Sequence, residues 1–314
     1  MTRAFFITDV HASDRCFRKF LNAAKVYKVD ALILGGDITG KVMVPIVDKG
    51  DGSYSLDLFG EARVVRKEKL EETEKALLNA GQYYFVTTSK ELEELRADKG
   101  KSDAIFNECI LSLIRSWLVL AEERLKGTNV KCYISPGNDD KLEVDGVLKD
   151  SGHVINPENR LVELDGGYEM ITLGVSNPTP WNSPREVSEE KFGEMIEALA
   201  SQIKRPQNSV FSLHVPPYNT ELDKAPAVTD DFRYVREGLG VKVIHIGSTA
   251  VRNSLEKYQP LLGLHGHVHE AKGFVKVGRT LCLNPGSEYS DGILRGALVN
   301  LDGGRVKEFL LTSG

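Results

Sequence analysis

The chain has 314 residues, 41% hydrophobic and 27% charged, with a formal charge of -5 and a pI near 5.9. This length exceeds one average domain and can bury a sizeable core, so a single domain carrying an insert is expected. A net acidic chain has no global attraction to nucleic acid or to an anionic membrane, although a local cationic pocket could still take a phosphate.

In chain order, Arg3 to Ile7 reads as an apolar strand that runs into TDVH, Thr8 to His11. Asp14 to Tyr27 places Phe17, Phe20, Leu21, Ala24 and Tyr27 at helical spacing, and Ala31 to Leu34 is a second apolar run before GGD, Gly35 to Asp37. Strand, helix and strand in forty residues make one βαβ unit. Lys41 to Val47 and Ser53 to Phe59 flank the turn-rich Asp48 to Gly52 and read as a hairpin, with charged helices expected over Glu61 to Ala80 and Glu91 to Lys99. Ala104 to Lys126 carries Phe106, Cys109, Ile110, Leu113, Ile114, Trp117 and Leu120 on one helical face, with Gly127 as its stop. Residues 41–103 therefore read as an inserted α+β subdomain, either a stabilising elaboration or dimer contact or a cap that selects substrate, and 1–40 with 104–314 as the discontinuous main domain.

Further along, the strand Val130 to Ile134 precedes PGND, Pro136 to Asp139, and Val210 to Leu213 precedes His214. Between them, the strand Tyr168 to Val175 leads into Ser176 to Pro184, a proline-rich loop that is either a rigid connector or a pocket wall. As a wall it would offer Trp181 for stacking on a base or sugar and Asn177 for contacting phosphate. Val241 to Gly247 is another strand candidate, containing His245. A helix then begins with Ser248 or Thr249 as cap and Arg252 one turn in, a place where an anion could dock but where ordinary capping is the simpler reading. HGHVH, His265 to His269, and NPGS, Asn284 to Ser287, close the series, with Ser287 a minor site candidate. The four cysteines, Cys16, Cys109, Cys132 and Cys282, form no C-x-x-C pair and read as reduced, mostly buried thiols. The apolar run Phe5 to Ile7 is too short for a signal-peptide core, and no segment approaches a membrane span. A cytoplasmic protein is expected.

Asp9, His11, Asp37, Asn138, His214, His267 and His269 are residues that intermediate divalent ions prefer, and five of the seven histidines fall in these segments. Alone, each segment would be an ordinary turn or a packed histidine. Each one, however, sits where an apolar strand gives way to a loop, which is where α/β sheets present their chemistry. His265 and His245 read as packed or supporting histidines, and His153 lies in a polar turn. Gly35 to Lys41 spells G-x-x-x-x-G-K. Val42 replaces the hydroxyl residue that would bind magnesium, and Pro45 argues against the helix that a phosphate loop requires.

The order Asp-x-His, Gly-Asp, Gly-Asn-Asp, His, Gly-His-x-His resembles the calcineurin-like metallophosphoesterase superfamily at both ends of the chain but not in the middle. The resemblance implies a four-layer αββα sandwich of two mixed β-sheets flanked by helices, and two divalent metal ions. Asp9, His11 and His269 would hold one ion, Asn138, His214 and His267 the other, and Asp37 would bridge them. Mn2+ is the first choice, with Fe and Zn2+ as alternatives. A shared carboxylate and a shared hydroxide screen two ions about 3.5–4 Å apart, and that hydroxide would attack the phosphorus of a phosphomonoester or phosphodiester. Asp37, Asn138 and Asp139 are then the expected catalytic residues, and the expected substrate is a small phosphorylated metabolite or nucleotide.

Asp139 departs from the superfamily pattern, in which a histidine often follows the Asn. An aspartate ionises near pH 4 (about 3.9) and is a poor general acid by default, so capping a turn or orienting a neighbouring ligand stands beside the catalytic role for Asp139. Two alternatives are a nuclease of the same superfamily and a catalytically silent scaffold that binds a protein partner. No dense basic strip supports the first beyond Arg63 to Lys69, and the full ligand set disfavours the second. A homo-oligomer is compatible with the sequence, and a membrane partner is not expected.

Overall fold

The computed structural model describes residues 1–314 except Asp230, Phe232 and Leu239. The first half runs β1 (Thr2–Ile7), α1 (Asp14–Tyr27), β2 (Ala31–Gly35), β3 (Val42–Asp48), β4 (Ser53–Leu58), β5 (Glu61–Arg66), α2 (Lys67–Asn79), β6 (Gln82–Thr88), α3 (Ser89–Ala97), α4 (Lys99–Leu125), β7 (Lys131–Ser135), α5 (Val144–Lys149) and β8 (Val154–Ile155). The second half runs β9 (Arg160–Leu164), β10 (Tyr168–Leu173), α6 (Glu189–Ala200), β11 (Ser209–Leu213), β12 (Lys224–Pro226), β13 (Arg236–Glu237), β14 (Gly240–Val241) and β15 (Val243–His245). It then continues with α7 (Thr249–Tyr258), β16 (Leu262–Leu264), β17 (Gly273–Val277), β18 (Thr280–Asn284), β19 (Arg295–Asp302) and β20 (Arg305–Ser313).

Two six-stranded sheets form the centre, in the orders β20-β19-β1-β2-β7-β8 and β17-β18-β16-β11-β10-β9. Both are mixed. β1, β2, β7 and β8 run parallel, β19 pairs antiparallel with β1, and β20 pairs antiparallel with β19 at the edge. β18, β16, β11 and β10 run parallel between antiparallel β17 and β9.

Alternation along each strand decides the layers, because successive side chains point to opposite faces. Ala4, Phe6, Ile33 and Tyr133 from one sheet meet Met170, Val210, Leu264 and Leu283 from the other, all buried between the sheets. Their sequence neighbours Phe5, Ile7, Leu32, Leu34 and Ile134 point outward against Phe17, Phe20, Ile114, Trp117 and Leu148 of α1, α4 and α5. On the far side Ile171, Leu173, Phe211 and Leu213 meet Phe192, Ile196, Val251 and Leu255 of α6 and α7. The result is the expected α/β sandwich, with layers helix, sheet, sheet, helix. Phe17 and Trp117 stack at 4.1 Å between ring centroids, and the Trp117 indole N–H donates to Asp14 at 3.0 Å, which ties α4 to α1.

By length and composition α4 is long and apolar enough to cross a membrane, contrary to the expectation that no segment approaches a span. Its Ile110, Ile114, Trp117, Leu118, Ala121 and Leu125 are buried in the outer core against the first sheet.

Residues 42–97 build a separate four-stranded sheet, β5-β4-β3-β6, whose small core gathers Val44, Ile46, Leu56 and Leu77. Two readings of this stretch need correction. Glu61–Arg66 is a strand, and helix begins only at Lys67. Phe59 and Gly60, both at positive φ, make the two-residue turn between β4 and β5, whose twist favours a hairpin over a helix. Gln82–Thr88, for which no element was expected, pairs in parallel with all of β3. A third correction concerns Val241 to Gly247. That stretch is not a core strand, because β15 forms only an exposed ribbon with β12.

Candidate metal centre

Every candidate ligand lies just past the C-terminal end of a parallel strand: Asp9 and His11 after β1, Asp37 after β2, Asn138 after β7, His214 after β11, and His267 and His269 after β16. The two sheets deliver these ends to one place. Ligand atoms of Asp9, His11 and His269 lie within 4.8 Å of one another, as do those of Asp37, His214 and His267. The Asn138 amide oxygen sits 2.9 Å from His267 Nδ1. The groups adjoin: His11 Nε2 is 3.7 Å from Asp37 Oδ2, and His214 Nε2 is 3.4 Å from Asp37 Oδ1 and 3.8 Å from Asp9 Oδ1. Asp37 thus lies between the two sets. His11, Asp37 and Asp139 form a third such group.

The backbone is bent to make this arrangement. Asp9 (φ 53°), His11 (φ 38°), Asp37 (φ 48°) and His267 (φ 65°) all adopt the left-handed region, which disfavours non-glycine residues. Such conformations cost of order 1–3 kcal/mol each and persist only where the surroundings enforce them, often at functional sites. Close approach enforces them here. A Cβ on Gly137 would overlap Asp37, and one on Gly266 would overlap Thr8 Oγ1 and Asp9 Oδ2.

The donor set fits a metal. His214 Nε2 is buried beside two carboxylates yet has no hydrogen-bond partner, and its other nitrogen, Nδ1, lies 2.9 Å from Gly35 O. A backbone carbonyl that fixes one ring nitrogen leaves the other free for a cation. His11 Nδ1 lies 3.2 Å from Thr39 O in the same manner.

Electrostatics agree. Burial opposes charge on His214, but Asp37 and Asp9 overcome it and push its imidazolium up to about 10. Burial holds His267 down at about 3 and His11 down at about 4. Burial also works against ionised Asp9, yet the surrounding histidines hold its carboxyl well below the ordinary range, whereas burial raises Asp37. Two buried carboxylates so placed call for positive charge between them.

Asp139 does not resemble a general acid. It pairs with Lys41, accepts from Ser183 Oγ at 2.7 Å and from the Asn138 amide at 3.2 Å. Despite its burial, Lys41 holds its carboxyl well below the usual range. The backbone N–H of Asp139 donates to Asp37 at 3.0 Å.

Asp140, not singled out from the sequence, joins two ligand loops. Its fully buried carboxylate accepts from Ile38 N at 3.0 Å, Thr39 N at 2.8 Å, Thr39 Oγ1 at 2.5 Å and Gly137 N at 2.7 Å. A short carboxylate two residues after Asn138, with Thr39 two residues past Asp37, was the available signal. Tyr289 also escaped notice, and its ring lies 4.7 Å from that of His11. Ser287 Oγ donates to Asp9 O at 2.6 Å and so braces a ligand loop.

The residues 42–97 grip this region directly. The Tyr83 hydroxyl accepts from Gly40 N at 3.0 Å, and Ser13 Oγ donates to Asn79 O at 2.6 Å. Lys41 starts no phosphate loop, since β3 follows it at once.

Other candidates resolve differently. His265 is buried with Nδ1 2.8 Å from Leu213 O, a packed histidine, and His245 pairs with Asp223 at 2.8 Å. His153 is 3.8 Å from Glu122, outside the centre. The α7 N-terminus is already occupied by Glu189, which bonds Ser248 Oγ, Thr249 N and Ala250 N, so no second anion docks there. Trp181 does line the cleft over the candidate ligands, but Asn177 is not among its lining residues and ties its loop to Ile246 O at 3.5 Å. All four cysteines are free, and Cys16, Cys132 and Cys282 are buried.

No protein-family model matches the chain. An uncharacterized protein of Methanocaldococcus jannaschii, MJ1162, is 30% identical over 152 residues, which is 48% of this chain and 61% of that protein. The chain thus spans less than two thirds of this relative's length. Among solved structures, one crystal structure matches with a TM-score of 0.58 at 17% identity, covering 99% of this chain and 98% of the other. TT1561 of Thermus thermophilus matches with a TM-score of 0.54 at 14% identity, covering 100% and 98%. At these identities the likeness is one of fold.

Proposed function

We propose that this chain is a dinuclear metal-dependent phosphoester hydrolase of the calcineurin-like metallophosphoesterase type, acting on a small phosphorylated metabolite or nucleotide. The supporting observation is the pair of adjoining ligand groups with Asp37 between them and the unpartnered His214 Nε2 facing two carboxylates. Asp9, His11 and His269 would hold one ion, Asn138, His214 and His267 the other, and Asp37 both. Mn2+ is the first choice for this mixed nitrogen and oxygen set, with Fe and Zn2+ as alternatives. Such a metal pair supplies Lewis acidity toward a phosphoryl oxygen and an activated water.

The chain's own residues do the rest. Thr8 Oγ1 donates to Asp9 at 2.7 Å, and His267 N does so at 3.1–3.2 Å, fixing that carboxylate. Asp140 holds the Asp37 and Asn138 loops in register. The cleft, about 330 Å3, admits a small molecule, and Trp181, Ala225, Pro226, Val228 and Ile246 give it an apolar side. Residues 41–103 are proposed as an insertion. Of them Lys41 alone lines the cleft among the described residues, which argues against the insertion being a cap over the substrate.

The experiment is metal analysis of purified protein together with Mn2+-dependent hydrolysis of p-nitrophenyl phosphate and bis(p-nitrophenyl) phosphate. Two metals per chain with turnover support the reading. Purified protein that takes up no metal would sink it.

A further inference from the structure

Lys41 is the sole lysine or arginine among the described residues lining the cleft that Asp37, Asn138, His267 and His269 also line. It is the last residue before β3, and its ammonium turns back from the four-stranded sheet to pair with Asp139. Its side chain is 55% exposed, so a ligand entering the cleft can reach it. An ammonium has three donor hydrogens and can serve Asp139 and a ligand oxygen together. Asp139 is itself held, by Ser183 Oγ and the Asn138 amide, so the lysine is anchored at the edge of the candidate metal groups and not left to wander.

Charge decides what such a cation prefers. A phosphomonoester loses its second proton near pH 6 (about 6) and is a dianion above that, whereas a diester carries one negative charge. The metal groups would meet either. A further cation at the rim favours the ester with the extra charge, and a charge-assisted hydrogen bond is worth about 1.5–3 kcal/mol, roughly tenfold or more in affinity. The cleft lining also includes Trp181, Ala225, Pro226, Val228, Tyr234 and Ile246, groups suited to an apolar or aromatic alcohol, and Glu270, whose carboxylate disfavours a leaving group that carries a second negative charge.

On the hydrolase reading above, we propose that Lys41, positioned by Asp139, makes this site selective for phosphomonoesters of apolar or aromatic alcohols. Lys41 contacts the dianionic phosphoryl group, and the apolar lining receives the leaving group. Asp139 is a positioning residue, which gives a role to an aspartate at the place where a histidine was expected.

The test is calorimetric titration of Mn2+-loaded wild type, Lys41→Met and Lys41→Arg at about pH 8, above the second ionisation of a phosphate group. The probes are phenylphosphonate, a dianion there, and its monoanionic methyl ester. Metal content and the monoester-to-diester ratio of kcat/KM are measured on the same samples.

Wild type should bind the dianion at least about tenfold tighter, Lys41→Met should lose most of that preference, and Lys41→Arg should restore it. Asp139→Asn should lower the preference in part and add nothing to Lys41→Met in the double variant, as expected of one coupled pair. An unchanged preference in Lys41→Met, or loss of metal from it, overturns the assignment to Lys41 while leaving the hydrolase reading intact. Wild type that holds no metal and cleaves neither ester removes both.

Discussion

Replacing Asp140 with alanine should weaken both the fold and the centre. The substitution strips the acceptor from three buried backbone N–H groups, those of Ile38, Thr39 and Gly137, and from the Thr39 hydroxyl. Each hydrogen bond to a charged acceptor is worth about 1.5–3 kcal/mol net, and a buried donor left unpaired costs about 1–3 kcal/mol. The sum does not apply in full. The carboxylate is itself disfavoured by burial and by neighbouring Asp37, which push it up to about 6. Removing one member of a buried charged network typically costs about 3–5 kcal/mol, and the net expectation is the lower part of that range. The loops after β2 and β7 carry Asp37 and Asn138, so metal affinity should fall about 10–100-fold as well, as when a ligand's hydrogen-bond support is lost. Urea denaturation of the metal-free variant reads the first quantity, and competitive metal titration of the folded variant reads the second. Asp140→Asn keeps one acceptor oxygen and should fall between the two proteins. A variant as stable as wild type and with the same metal affinity would refute the idea that this carboxylate joins the two loops.

Three further outcomes are expected. Gly266→Ala places a Cβ against Thr8 Oγ1 and Asp9 Oδ2, and because ligand distances tolerate only about ±0.2 Å, metal titration should show severe loss with the far-UV spectrum retained. Normal affinity would mean that Asp9 is not a ligand. His269→Ala and Asp37→Ala should each lose metal and turnover while staying folded; full activity at native metal content in either would show the ligand assignment to be mistaken. Glu158→Gln should stabilise the protein increasingly from pH 4.5 to about 7. Burial raises this carboxyl from 4.5 to about 7 although both oxygens accept from Gly174 N, at 3.1 and 2.9 Å. The folded state therefore binds the proton more tightly than the unfolded one, and the penalty is absent below 4.5 and complete above about 7. Partial exposure of the residue keeps the gain under the roughly 3 kcal/mol that this difference implies. Thermal melts across that range test it, and a flat difference between variant and wild type would count against the buried charge.

The candidate ligands were legible because each follows an apolar strand, and burial on both faces makes such strands conspicuous: β2 and β11 are buried at every position. The four-layer arrangement came from the resemblance carried by the order of those ligands, whereas the apolar strands and the amphipathic α1 by themselves gave only one βαβ unit. The unit over residues 42–97 was harder to read. β5 is exposed at five of its six positions and shows no inside-outside alternation, so its charges suggested helix, and only its pairing with β4 makes it a strand. The Lys41–Asp139 pair and the Asp140 contacts join loops distant in sequence, and no local pattern announces them. Glu189 at the α7 N-terminus is a contact between helices of the same kind, invisible until α6 and α7 are side by side.

The grip of Tyr83 and Asn79 on Gly40 and Ser13 limits how the protein can be engineered. Excising residues 42–97 to shorten the protein looks like trimming a decoration, since the two central sheets would lose no strand. It would also withdraw a hydroxyl from the backbone beside Lys41 and a carbonyl from the side chain that caps α1, loosening the turns on which His11 and Asp37 are presented. A shortened protein would keep its sandwich and lose the tuning of its centre. Redesign of the reaction would have to begin by replacing those two contacts from within the core.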